Sequence, residues 1–183
     1  RRPQLLPRLP NQAARRARDA LAQALAGLKR MGPVPILWMD LQQRVLTGFQ
    51  TASNDEILRR LAASFGTDPL VIEQIESFGK PVGREVFETV FWSGRFFEGY
   101  RGGPVTMLSR RTVKTHLCRS ASANDAHVRQ ALLDRFGPGK ARAVGLKRTP
   151  GPLYGLSADG WSALALAVVW TERQRPESVW WTV

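Results

Sequence analysis

The sequence predicts an α/β sandwich, one part-antiparallel sheet covered by helices, on three observations. Apolar, β-leaning segments alternate along the chain with capped amphipathic helices. The two clearest early strands, residues 35–39 and 44–50, are separated only by Asp40-Leu41-Gln42-Gln43, the spacing of a hairpin. The length, 183 residues, suits one domain with a single core that needs no disulfide or structural metal.

Taken in order, residues 1–10 carry three prolines and three arginines and read as an extended lead. Asn11 caps an Ala-rich helix that ends near Gly32 and Pro33, with Ala14, Leu21, Leu25 and Leu28 near one face and Arg15, Arg16 and Arg18 elsewhere. Such a helix can meet phosphates, yet the helix propensity of Ala, Leu and Arg accounts for it equally well. After the hairpin, Asn54 is placed to cap a helix with Asp55 and Glu56 in its first turn. Its buried face is Ile57, Leu58, Leu61 and Phe65, and Gly66 stops it. Residues 69–75 form a buried strand interrupted by one carboxylate, Glu73.

Residues 82–100 read as a long helix. Val86, Phe87, Val90, Phe91, Trp92 and Phe97 give it an apolar surface too wide for the core alone, so a partner is expected there too. A strand at 104–108 leads through Ser109-Arg110-Arg111 into a helix with Val113, Lys114, Leu117 and Cys118. Asn124 caps the helix 125–136, whose inward residues are Val128, Ala131, Leu132 and Phe136, and Gly137-Pro138-Gly139 ends it. Residues 139–156 read as a loop rich in Lys, Gly and Pro. Ser157 caps a strongly apolar last helix through Trp161, Leu164, Leu166, Val168 and Trp170. The organisation expected is a basic N-terminal segment, 1–33, of extended lead plus helix, a domain at 34–172, and a tail at 173–183.

Charge narrows the partner. Lys and Arg number 27 against 15 Asp and Glu, a net charge of +12, which favours a polyanion, nucleic acid first. An arginine-rich coding composition gives the same total, so placement must decide. No run approaches the roughly 18 apolar residues of a membrane span, and no secretory pattern opens the chain, so a cytoplasmic protein without membrane contact is expected. Cys118, the one cysteine, excludes an internal disulfide. With His116 and His127 as the other soft ligands, there are too few for zinc.

Hydrolysis of a phosphodiester without a nucleophilic side chain needs metal ions, and hard cations need several oxygen ligands gathered from distant parts of the chain. Glu73 is a candidate because an ionised carboxylate in an apolar strand costs roughly 2–7 kcal/mol unless paired or metal-bound. The alternative puts it at the strand's exposed edge. Asp159, in the first turn of the last helix, is placed to converge with it, although an acid there stabilises any helix by about 0.3–1 kcal/mol. Glu76, Glu85, Glu88 and Glu98 read as solvated charges.

Several linked segments resemble one family. They are Val71-Ile72-Glu73-Gln74-Ile75, residues 81–89 with Trp92-Ser93-Gly94-Arg95-Phe96, residues 111–118, and Pro150-Gly151-Pro152-Leu153-Tyr154-Gly155 leading into Asp159-Gly160-Trp161-Ser162-Ala163-Leu164-Ala165. In order and spacing they resemble the phage-type RuvC-like Holliday junction resolvases, over roughly residues 36–172. The resemblance implies a ribonuclease-H-like mixed sheet flanked by helices, to which this chain adds an N-terminal helix. It also implies a homodimer, and Mg²⁺- or Mn²⁺-dependent cutting of four-way DNA junctions in a bacterial or phage-infected cell. Glu73 and Asp159 look like metal ligands, and Lys114 like a catalytic basic residue at the phosphate. Ser162 stands where RuvC carries another aspartate, in a local pattern that looks like the phage-type variant.

The resemblance breaks at the start. The family opens with an apolar strand ending in Asp-Pro-Gly, whose aspartate is the first metal ligand. Here Gly32-Pro33-Val34 looks like the remnant, with Arg30 at the aspartate's place, so residues 1–33 look unrelated to the family and the first strand looks missing or replaced. Asp40 is expected at the far end of the sheet. The function expected is a structure-specific endonuclease for Holliday junctions. The alternative is a catalytically defective junction-binding relative. Lys80, Arg84, Arg95, Arg101, Arg110, Arg111, Lys114 and Arg119 are expected around the active face, with Lys140, Arg142, Lys147 and Arg148 in the loop, as phosphate-positioning contacts. Phe96 is expected to pack in the core; Tyr100 is open between packing and base stacking.

Overall fold

The computed structural model describes residues 21–25, 34–40, 45–77, 79 and 81–174. Strand β1 is Leu21–Leu25, β2 Val34–Asp40 and β3 Val45–Ala52; helix α1, Asn54–Ala62, leads to β4, Leu70–Gln74. Helix α2, Arg84–Gly99, leads to β5, Val105–Ser109, and then come α3, Arg110–Cys118, and α4, Asp125–Phe136. A short α5, Lys140–Ala143, and two-residue strands β6, Gly145–Leu146, and β7, Thr149–Pro150, precede α6, Ala158–Arg173.

The five long strands form one mixed sheet in the order β3-β2-β1-β4-β5. β1 runs antiparallel to β2 and parallel to β4, β2 and β3 are antiparallel, and β4 and β5 are parallel. Parallel neighbours need a crossover, and α2 supplies it between β4 and β5. Because strand side chains alternate between faces, the core has two halves. Ala24, Leu37, Met39, Val71 and Leu108 face α3, α4 and α6, whereas Leu25, Val34, Ile36, Leu70 and Ile72 face α1 and α2.

The first strand is therefore present, a correction to the sequence reading. Helix was expected across Asn11–Gly32, but Leu21-Ala22-Gln23-Ala24-Leu25 is the central strand of the sheet. Tertiary pairing on both edges outweighs helix propensity here, since the segment's alternating residues fill both halves of the core. Its polar residue is accommodated too, because Gln23 Nε2 donates to the Tyr100 hydroxyl at 3.4 Å. The rest of that predicted helix, Arg30, and the tail beyond Gln174 lie outside the described residues.

Smaller corrections follow local chemistry. Ser53, not Asn54, caps α1 by accepting from the Glu56 amide, and the helix stops at Ala62, leaving Phe65 outside it and 90% exposed. Residues 139–156 are not a plain loop but hold α5 and the β6–β7 hairpin. Asn124 caps α4 as expected, in a reciprocal capping box with His127. Phe96 is fully buried, and Tyr100 is buried as well, its hydroxyl donating to the Asp68 carbonyl at 2.6 Å, so it packs rather than stacks on a base. No helix among the described residues is long and apolar enough to cross a membrane.

Ser157 caps α6, whose apolar residues cover β1 and β2. At its other end, Glu172 binds two neighbouring helices at once, meeting His116 Nε2 of α3 at 2.7 Å and accepting from Arg135 Nε of α4 at 2.8 Å. Burial pushes the Glu172 carboxyl up, but the bonds from Arg135 and His116 outweigh it and hold the group below its ordinary value.

Candidate functional site

Glu73 sits on β4 in the half of the core that faces α3, α4 and α6, and it is 4% exposed. This rules out the exposed-edge reading. It lies at the floor of a cleft of about 360 Å³ lined by Arg110, Lys114, Asp125, Arg129, Trp161 and Ser162. Three helix starts converge there, since Arg110, Asp125 and Ala158 begin α3, α4 and α6 and all line the cleft. Each brings the positive end of a helix dipole.

The charges in the cleft are arranged. Arg110 reaches Glu73 Oε1 at 3.6 Å with one guanidinium nitrogen and pairs with Asp125 through the other. Arg129 lies one turn after Asp125 on α4, and its guanidinium stacks over the Trp161 ring at 4.5 Å. Lys114, one turn after Arg110 on α3, is half-buried in the wall. A second groove of about 350 Å³ lies on the other side of Glu73 and Arg110, where Glu76, Glu85, Val86 and Thr89 continue the surface toward α2.

The predicted residues divide accordingly. Glu73, Arg110 and Lys114 come together. Asp159 does not join them: it is exposed in the first turn of α6, outside the cleft lining, while Ser162 one turn on lines the wall. Arg95 and Arg101 belong to the layer behind the sheet, where Arg95 stacks on Trp92 at 4.4 Å and Arg101 donates to the Glu98 carbonyl. They therefore do not surround this cleft. Arg84 pairs with Glu88 at 2.7 Å on the outer face of α2. Arg111, Arg119, Lys140, Arg142, Lys147 and Arg148 are exposed away from the lining, the last two in the β6–β7 turn. Lys80 lies outside the described residues. Asp125, Arg129 and Trp161 were not singled out from sequence; their one signal was the spacing of Asp125 and Arg129, four residues apart after a strong cap.

A divalent ion needs several oxygen ligands, and the donors here do not fit one. Among the described residues no group of three or more His, Cys, Asp or Glu is assembled to hold a metal. On β1 the residue facing the same side as Glu73 is Ala24, and Asp40, paired with Leu21 at the opposite end of that strand, is far from Glu73 as expected. Ser162 is neutral, and Asp125 is engaged by Arg110.

A mixed five-stranded sheet in this order, flanked by helices, is a ribonuclease-H-like α/β fold. Its solved neighbours include Thermus thermophilus RuvC, with a TM-score of 0.52 at 14% identity over 84% of this chain and 95% of that one. T. thermophilus RuvC in complex with Holliday junction substrate is similar too, with a TM-score of 0.50 at 14% identity over 85% and 95% of the two chains. No family model and no curated protein matches the sequence significantly.

Proposed function

We propose that this chain is a branched-DNA protein of the junction-resolving nuclease class and that the four-way junction is its substrate. The carrying observation is the cleft: three helix N-termini and the cations Arg110, Lys114 and Arg129 surround one buried glutamate, in a fold similar to that of RuvC. Walls carrying Arg110, Lys114 and Arg129 together with three helix N-termini suit a phosphodiester strand. The solved neighbour in complex with Holliday junction substrate makes the four-way junction the natural first probe. The described residues support holding the junction over cutting it, since Glu73 and Asp125 are both paired with Arg110.

The second reading is the class activity itself, Mg²⁺- or Mn²⁺-dependent cleavage by a phage-type homodimer. It is favoured by the place of Glu73 beside the central strand, where it is the one buried acid of the cleft. In this reading Glu73 and Asp159 are the acidic residues and Lys114 meets the phosphate. The exposed apolar surface of α2, with Phe87, Val90, Phe91 and Phe97, is our candidate dimer face.

A labelled synthetic four-way junction, incubated with and without Mg²⁺, separates these readings. The first expects retention of the junction over linear duplex and no Mg²⁺-dependent cuts. Symmetric cuts lost in Glu73→Gln and Asp159→Asn establish the second. Equal binding of junction and duplex overturns both.

A further inference from the structure

We propose that Arg110 is the resident counter-cation of Glu73, closing this cleft to divalent ions and leaving it a metal-independent site for a phosphodiester oxyanion. The identity of the anion rests on the branched-DNA reading; the role of Arg110 does not. Glu73 is buried on β4, where a carboxylate without a compensating partner is costly. The guanidinium of Arg110 lies within reach of it, at 3.6 Å. The same guanidinium takes Asp125, so the two carboxylates of the cleft are bridged by one organic cation. Ser109 fixes the origin of that side chain, because it caps α3 by accepting from the Thr112 amide at 3.2 Å.

With both acids engaged, the remaining side-chain charge in the cleft is positive. Against Glu73 and Asp125 stand Arg110, Lys114 and Arg129, an excess of one cation before the three helix dipoles are added. Arg129 sits over the Trp161 ring at 4.5 Å, which restricts its guanidinium, and no carboxylate pairs with it among the described residues. An oxyanion entering here meets a preset guanidinium and an ammonium; a divalent cation meets three positive groups and must first displace Arg110.

The full chain is titrated with Mn²⁺ and followed by electron paramagnetic resonance, alone and as Glu73→Gln, Arg110→Gln and the double variant. Four-way junction binding is measured in parallel in EDTA and in Mg²⁺. The expected result is no Glu73-dependent Mn²⁺ site in the unaltered chain and a gain of at least about tenfold in Mn²⁺ affinity in Arg110→Gln that the double variant loses. Junction affinity is expected to be the same in EDTA and Mg²⁺ and to fall about tenfold or more in Lys114→Ala/Arg129→Ala, with a shallower salt dependence. A stoichiometric Mn²⁺ site abolished by Glu73→Gln, or no gain in Arg110→Gln when its melt is still cooperative, overturns the counter-cation. Junction binding that requires Mg²⁺ overturns the metal-independent site. Failure to bind any junction overturns the functional reading, while the Mn²⁺ titration still decides the role of Arg110.

Discussion

Tyr100 shows how much one hydroxyl can fix. It ends α2, donates to the Asp68 carbonyl at 2.6 Å and accepts from Gln23 on the central strand at 3.4 Å, so it links a helix, a loop and the middle of the sheet. Tyr100→Phe leaves the Asp68 carbonyl without that donor and is expected to cost about 1–2 kcal/mol, a fall of roughly 2–8 °C in melting temperature. Burial, and then the negative charge of Asp68, push the phenol up to about 12 from an ordinary 10. A raised value means the contribution is complete below pH 10 and is lost as the pH climbs toward about 12. Between pH 10 and about 12 the unaltered chain therefore loses melting temperature more steeply than Tyr100→Phe does, which alkaline melts check. At this scale the sequence was informative where a residue contradicted its surroundings. A carboxylate inside an apolar strand singled out Glu73. Asp125 and Arg129 carried no such contradiction, because an acid in a first turn and an arginine on an open helix face are ordinary until packing brings α4 against α3 and α6. Asp159 shares its turn with Ala158, yet the helix lines the cleft with Ala158, Trp161 and Ser162, a difference of facing that spacing alone does not reveal.

At the scale of elements, β2 to β5 and the five longer helices were legible, four of them with side-chain caps, and the central strand was not. Leu21–Leu25 contains the residues of a good helix, and nothing local marks it as a strand. Its conformation comes from β2 on one edge and β4 on the other, which no window of sequence contains. Leu25 is fully buried against the half of the core that α1 and α2 cover. Leu25→Ala is therefore expected to cost about 2–5 kcal/mol by urea unfolding, the range of a large core truncation. A change within about 0.5 kcal/mol, usual for a surface site, would contradict the central strand.

For the molecule as a whole, charge and apolar surface are distributed differently. The cleft gathers cations on one side of the sheet, and α2 exposes Phe87, Val90, Phe91 and Phe97 on the other. The homodimer proposed above rests on this exposed apolar face. The exposure itself was legible in the wide apolar pattern of 82–100, since too many aromatic residues shared one helix for the core to absorb. Phe91, 61% exposed, can be changed without opening the core. Phe91→Glu is expected to convert a dimer to a monomer in sedimentation while keeping the melting temperature of the isolated fold. A monomer in the unaltered chain would remove the homodimer from the functional reading.

The bond set around Glu172 gives these parts a mechanical relation. It fastens α3, α4 and α6 near their C-terminal ends, whereas the cleft separates the same three helices at their N-terminal ends. The three helices are thus tongs, riveted at the back and open at the front, and the spacing of the jaws is set by a rivet on the far side of the domain. Since the Glu172 carboxyl is held low, the rivet is at full strength above the ordinary carboxylate range and slackens as acidification carries the pH down through its depressed value. The set of the jaws loosens with it.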